Sequence, residues 1–364
     1  MNVRKSTRTG ILLLVAMVAT VVFSATAEAQ ITATCNGVTA TIVGTSGADN
    51  IVGTEGDDVI VSFNGDDVID SGEGNDLICS GAGNDTVNAG WGANEVLAGA
   101  GDDNVYVEGA GRVLAGGGND QIDFEGHVYF GEEIYVHAGA GDDTVVILDT
   151  DGEGGIGQSA RVLGANGRDR LYFFTSADVT FYGGNGEDEL LDEGAVDAYV
   201  GNLRAFGGAG QDFMVAPVNA VSVFINGGSG EDILGSNNPD WDVRGGADTD
   251  YLVGTGINGS GGDDFLAMPA EANGGFVRGG GGDDQILAAG TSGNVQGNAA
   301  QDLLLATETF SGTLNGGSDS DLCSVGDFDR RNCEQDDVEH PIDASDIQEF
   351  ALLLDLYSWW YLEG

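Results

Sequence analysis

The sequence predicts an all-β solenoid of short strands and tight turns, closed by a short C-terminal α-helix. Two observations carry the solenoid: a nine-residue unit that recurs without interruption, and an acidic charge placed at fixed points of that unit. A third, a Leu- and Trp-rich segment behind a helix-capping sequence, carries the helix.

Composition sets the outer bounds. Asp and Glu number 60 against 12 Lys and Arg, a formal charge of −48 in 364 residues. Gly accounts for 63 residues and Pro for 4, which without a Gly-X-Y period is not collagen-like. An apolar share of 41% is too high for a disordered acidic tail. Such a charge excludes simple electrostatic attraction to nucleic acid or to an anionic membrane, and it invites cations.

From Gly44 to Tyr106 the chain divides into seven contiguous nonapeptides: GTSGADNIV, GTEGDDVIV, SFNGDDVID, SGEGNDLIC, SGAGNDTVN, AGWGANEVL and AGAGDDNVY. Place four is always glycine, at Gly47, Gly56, Gly65, Gly74, Gly83, Gly92 and Gly101. Place six is Asp49, Asp58, Asp67, Asp76, Asp85, Asn94 and Asp103, and place eight is Ile51, Ile60, Ile69, Ile78, Val87, Val96 and Val105. Glycine reaches the turn conformations that a Cβ forbids. The β-branched residue suits a short strand with one side chain inward. The aspartate leaves each turn with an oxygen ligand of the kind Ca²⁺ prefers. A helix does not form across so many glycines.

These units resemble the G-G-x-G-x-D-x-U-x repeat of the RTX, or haemolysin-type, calcium-binding family. The resemblance implies a right-handed parallel β-roll in which two nonapeptides make one coil of about 18 residues, with Ca²⁺ between turns stacked on the same edge. It implies the ligand pairs Asp49/Asp67, Asp58/Asp76, Asp67/Asp85, Asp76/Asn94 and Asp85/Asp103, helped by turn carbonyls. Asn94 offers a neutral oxygen, so a weaker site is expected there. Many members of the family leave the cell by a C-terminal signal, whereas an N-terminal Sec-type signal and disulfides are expected here, so toxin or protease activity is not carried over.

The register continues beyond the regular block. Further turns carry Asp120, Asp143, Asp169, Asp188, Asp212, Asp232, Asp250, Asp264, Asp284, Asp302 and Asp321. An apolar residue follows each: Ile122, Val145, Leu171, Leu190, Met214, Leu234, Leu252, Leu266, Ile286, Leu304 and Leu322. Another precedes each turn: Val113, Val136, Val162, Phe181, Ala205, Ile225, Val243, Ile257, Val277, Val295 and Leu314. Two strands thus stay nine residues apart across the recognisable turn, while the return shrinks to five steps from Leu252 to Ile257 and swells to seventeen from Val145 to Val162. We therefore expect ions along both edges over residues 44–106 and along one edge in the degenerate roll, 107–325. The turns Asn298-Ala299-Ala300 and Ala247-Asp248 have lost the place-four glycine, so the sites at Asp302 and Asp250 are expected to be the less secure ones.

The ends differ in composition. Residues 1–29 read as a Sec-type secretory signal: Arg4, Lys5 and Arg8, an apolar run over 11–23, then Ala27-Glu28-Ala29 as a cleavage site. An uncleaved anchor is the alternative. Cleavage would leave 59 acids, 9 arginines and no lysine. Residues 30–43 are expected to cap the first coil. In the C-terminal segment, 326–364, Ser345-Asp346-Ile347-Gln348 opens a predicted helix over 345–362, with Leu352, Leu356, Trp359 and Trp360, either folded back as a cap or exposed as an anchor. Four cysteines in an exported chain allow three pairings. As staples of the two ends we pair Cys35 with Cys79 and Cys323 with Cys333.

Signals for catalysis are sparse. There is no H-E-x-x-H, P-loop or G-x-S-x-G motif. His127, Glu132, Glu133 and His137 lie close in sequence, where surface decoration is weighed above a transition-metal or acid–base site. Residues 149–154 resemble the front of an EF-hand loop, but its twelfth position is Ala160. Tyr172-Phe173-Phe174 and Phe181-Tyr182 are expected to pack a wider part of the roll rather than to stack on sugars. The reading is an extracellular, non-enzymatic calcium-binding protein with a structural or surface-interaction role, its partners calcium ions and a cell-surface glycan or surface protein. The alternative is a polysaccharide lyase or epimerase on a β-helix. Against polyanionic sugars stand the lack of lysine and the dispersal of the nine arginines. An ice-binding face would need ranked threonines, which are not seen.

Overall fold

Alternation of one inward apolar residue with outward polar ones, punctuated by glycine turns, yields strands and nothing else among the described residues. The computed structural model describes residues 32–125, 133–148, 159–175, 177–192, 201–217, 220–236, 238, 240–269, 273–289, 292–306, 310–323 and 329–333. The expected signal segment 1–29, the expected helix over 345–362, the stretch 149–154, His127, Glu132 and His340 lie outside these residues. Met1–Thr32 is a unit of its own, in which only Thr32 is described.

The strands form two long parallel sheets. One has fifteen strands, from Asn50–Thr54 to Leu322–Cys323; the other has sixteen, from Ile42–Val43 to Asp329–Arg331. Neighbours within a sheet are next but one in sequence, so the chain crosses from sheet to sheet at every turn, the signature of a parallel β-solenoid. The register runs through the predicted inward residues. In the fifteen-stranded sheet Ile51 faces Ile69, Val145 faces Leu171 and Leu190 faces Met214. In the sixteen-stranded sheet Val113 faces Val136, Val162 faces Phe181 and Val243 faces Ile257. One expectation needs correction. The last inward residue is Cys323, which pairs with Leu304 and is fully buried, whereas Leu322 pairs with Leu303 and faces outward. A strand shows one side chain in two to the core, and Leu322 has the wrong parity.

The core is a column of these side chains between the sheets. It widens in the middle coils, where each strand turns a second apolar residue inward: Phe124 beside Ile122, Ile147 beside Val145, Phe173 beside Leu171 and Val179 beside Phe181. The aromatic run therefore divides. Phe173 and Phe181 fill the wider core as expected, while Tyr182 lies on the outer face, its ring stacked on Phe206 at 5.0 Å.

Stacking explains the glycines more fully than turn conformation does. At Gly83, place four, φ is +131°, and a Cβ would overlap the carbonyl of Gly65 one coil away. Gly47 holds the same place in the first turn, where no coil precedes it, and a Cβ there meets nothing. Replacing Gly83 by Ala is expected to cost about 1–3 kcal/mol. Gly47→Ala is expected to stay within about 0.5 kcal/mol. Denaturant melts of the two variants check the difference. Where place four is not glycine, the turn survives with a smaller positive φ: 76° at Asp248, 80° at Ala300 and 84° at Asp319, the last a substitution the sequence reading passed over.

At the N-terminal end Thr34–Cys35 and Val38–Thr39 form an antiparallel hairpin through Asn36-Gly37, both with positive φ, as a two-residue hairpin turn requires. Cys35 is buried and bonded to Cys79, and Cys323 is bonded to Cys333, the pairing expected.

Candidate metal centres

The place-six residues stack into ladders along the two edges. On the long edge, the backbone N–H of each aspartate donates to Oδ1 of the aspartate one coil later. The series runs Asp49 to Asp67, Asp67 to Asp85, Asp85 to Asp103 and Asp103 to Asp120, at 2.7–2.9 Å. It continues through Asp143, Asp169, Asp188, Asp212, Asp232, Asp250, Asp264, Asp284 and Asp302 to Asp321. Among the described residues the short edge holds only Asp58, Asp76 and Asn94, joined in the same way at 2.9 Å. Every predicted pair is thus in register. The turns lacking the place-four glycine keep their place: the bonds into Asp250 and Asp302 are both 3.0 Å.

One oxygen per carboxylate is thereby satisfied. The second, Oδ2, is buried without a hydrogen-bond partner at Asp103, Asp120, Asp169, Asp188, Asp212, Asp232, Asp250, Asp264, Asp284 and Asp302. Asn94 shows what that position faces. Its Nδ2 donates to the place-one and place-two carbonyls of its own turn, Ala89 at 2.7 Å and Gly90 at 3.1 Å. At the aspartates Oδ2 packs closely on the place-one residue, so that a Cβ on Gly207 would overlap Oδ2 of Asp212. A buried carboxylate oxygen left without a donor favours a proton or a cation beside it.

Burial drives the carboxyls toward the protonated form. Desolvation, opposed by the N–H of the preceding aspartate and reinforced by neighbouring carboxylates, pushes Asp169, Asp250 and Asp284 up to about 8. It pushes Asp103 and Asp212 up to about 7. Burial likewise raises Asp76 and Asp85, where the hydroxyls of Ser71 and Ser80 offset part of it.

The first turn of each edge is closed differently. Asp49 Oδ2 accepts from the N–H of Thr45 at 2.6 Å, and Asp58 Oδ2 from the N–H of Thr54 at 2.7 Å. These carboxylates have local donors and need an ion least. A second row escaped the sequence reading. At place five, side-chain oxygens accept the N–H of the coil after them: Asp66 from Asn84, Asn84 from Asp102, Asp102 from Asn119, Asn119 from Asp142, and Asp142 from Arg168. The signal was the Asn or Asp before most place-six aspartates. Glu133 and His137 lie on one face of the strand Glu133–Ala140, about 13 Å apart along it, too far to share a ligand.

No group of three or more His, Cys, Asp or Glu side chains among the described residues could by itself hold a metal ion. A cation at a turn would combine the ladder carboxylate with backbone carbonyls, an all-oxygen set that fits a hard ion such as Ca²⁺ and suits a soft one poorly. Fold and ladder together define the class, a parallel β-solenoid built on carboxylate-bearing nonapeptide turns. A family model of the RTX calcium-binding nonapeptide repeat matches four copies over residues 43–78 and 80–105, so this part of the chain is similar to that repeat. No curated protein matches the sequence. The ladder itself runs on to Asp321, well beyond the matched repeats.

Proposed function

We propose that the chain is an extracellular calcium-binding β-roll protein, with a structural and surface-interacting role and no catalytic one. Ca²⁺ ions lie between stacked turns on the long edge from Asp67 to Asp321, and on the short edge at Asp76, each held by ladder carboxylates and turn carbonyls. The observation that carries this reading is the row of buried Oδ2 atoms without a donor, beside Asn94, whose amide finds turn carbonyls at the same place of its own turn. Export is supported by the signal-like residues 1–29 and by the two disulfides, which persist in oxidising compartments. A glycan or protein at the cell surface is the partner of this reading.

The test exchanges the two chemistries. Asn94→Asp is expected to raise the calcium stoichiometry by about one ion, and Asp212→Asn to lower it by about one or two. Equilibrium dialysis with calcium reads both. Unchanged stoichiometry in the pair would refute ladder-held calcium.

A further inference from the structure

The arginines are dispersed in sequence and gathered in space. Arg112, Arg161, Arg204, Arg244 and Arg278 all lie on the outer face of the sixteen-stranded sheet, within two adjacent rows of side chains. Arg112 faces Tyr135, which faces Arg161; Arg161 faces Thr180, which faces Arg204; Arg244 faces Asn258, which faces Arg278. They fall on every second strand: Gly111–Gly117, Ser159–Asn166, Asn202–Ala209, Asp242–Ala247 and Asn273–Gly281. Adjacent strands lie about 4.8 Å apart, so the guanidinium row repeats at about 9.6 Å.

Aromatic rings hold these groups. Arg112 lies over Tyr135 at 5.2 Å and Arg161 over Tyr182 at 5.3 Å. Arg204 and Arg244 lie over Phe224 at 5.9 and 5.4 Å, and Arg278 over Phe276 at 4.5 Å. Arg112 and Arg244 also pair with Glu95 and Asp242. Arg161, Arg204 and Arg278 are exposed and make no ion pair among the described residues, in a chain with 60 acids. Nearby at the strand starts, Glu133 is exposed and Asp178 accepts from Asn202.

We propose that this face binds an extended acidic polysaccharide bearing one carboxylate per disaccharide. The proposal deepens the glycan reading above and takes the calcium-held fold as its frame. Ring-propped guanidinium groups keep their N–H forks directed outward for bidentate carboxylate recognition. Two sugars of an extended β-linked chain span a distance comparable to two coils. The intervening rings offer apolar contact to the sugars between the charges. Nucleic acid fits poorly: its charge density exceeds one per 2 Å of axis, at about 1.7 Å each, against cations spaced several times wider.

Isothermal titration of the full, calcium-loaded chain tests this. The probe is a linear oligosaccharide of alternating glucuronate and N-acetylglucosamine, beside its carboxyl-reduced form and a DNA duplex. The native chain is expected to bind the first and neither of the others. The triple variant Arg161→Gln, Arg204→Gln, Arg278→Gln is expected to bind about tenfold or more weakly. Arg168→Gln with Arg170→Gln, on the other sheet and its turn, is expected to leave binding unchanged. Arg204→Gln alone, at an exposed position, serves if the triple variant loses its β spectrum. Absence of binding by the native chain, equal binding of the carboxyl-reduced sugar or of DNA, or unchanged binding by the arginine variants overturns the proposal. Circular dichroism with and without calcium, recorded without sugar, reports separately on the calcium reading.

Discussion

Chelating calcium at pH 8 is expected to abolish most of the β signal, and acidifying the chelated protein to about pH 5 is expected to restore part of it. Without a cation, the buried Oδ2 atoms of Asp169, Asp212, Asp250 and Asp284 lack a donor, and their charges repel along the ladder. A carboxyl pushed up to about 8 in the folded chain, as at Asp250, contributes its stability in full below its unfolded value of about 4. That contribution is lost as the pH rises through 8, because the folded state then sheds protons it binds more tightly than the unfolded chain does. Calcium reverses the trend, since its ligands must be deprotonated, so its affinity rises with pH. Each ion at a hundred times its dissociation constant adds about 2.7 kcal/mol to the folded state. Far-UV circular dichroism between pH 8 and 5, in chelator and in calcium, measures both arms. A β spectrum indifferent to chelation at pH 8, or one that declines further on acidification, contradicts the account.

The second large effect is expected in the widened core. Phe181→Ala should destabilise the calcium-loaded protein by about 3–5 kcal/mol, through lost burial and the cavity left between the sheets. Tyr182→Ala, one residue on, should cost less than about 1.5 kcal/mol, since its ring lies on the outer face and packs mainly on Phe206. Thermal or denaturant melts in saturating calcium separate the two. Similar losses at both positions would contradict the assigned facing of the strand Asp178–Asn185.

That contrast shows how far the sequence could be read. The turn code is local: glycine at fixed places, aspartate at place six and an apolar residue two on lie within nine residues, so the ladder from Asp49 to Asp321 was legible even where the repeat degenerates. Leu322 was misplaced only because parity was not held through the last turn. The place-five row was hidden because its hydrogen-bond role is shared by Asp66, Asn84, Asp102 and Asn119, with no single residue type to mark it. The arginine row was hidden for a different reason. Arg112, Arg161, Arg204, Arg244 and Arg278 are 49, 43, 40 and 34 residues apart, because return segments of unequal length intervene. Their alternation exists only in strand number, a coordinate the primary sequence does not display.

The spacing between stacked aspartates, from 14 residues at Asp250 to Asp264 up to 26 at Asp143 to Asp169, has a consequence for how such a molecule can change. The edge carrying the long ladder is locked, because each turn there must nest against a copy of itself. On the opposite edge, past the first coils, the described residues carry no such ladder. Insertions, deletions or grafted peptides belong there, where a coil can acquire new chemistry while its neighbours keep their alignment, as beads slide on a cord knotted along one side only.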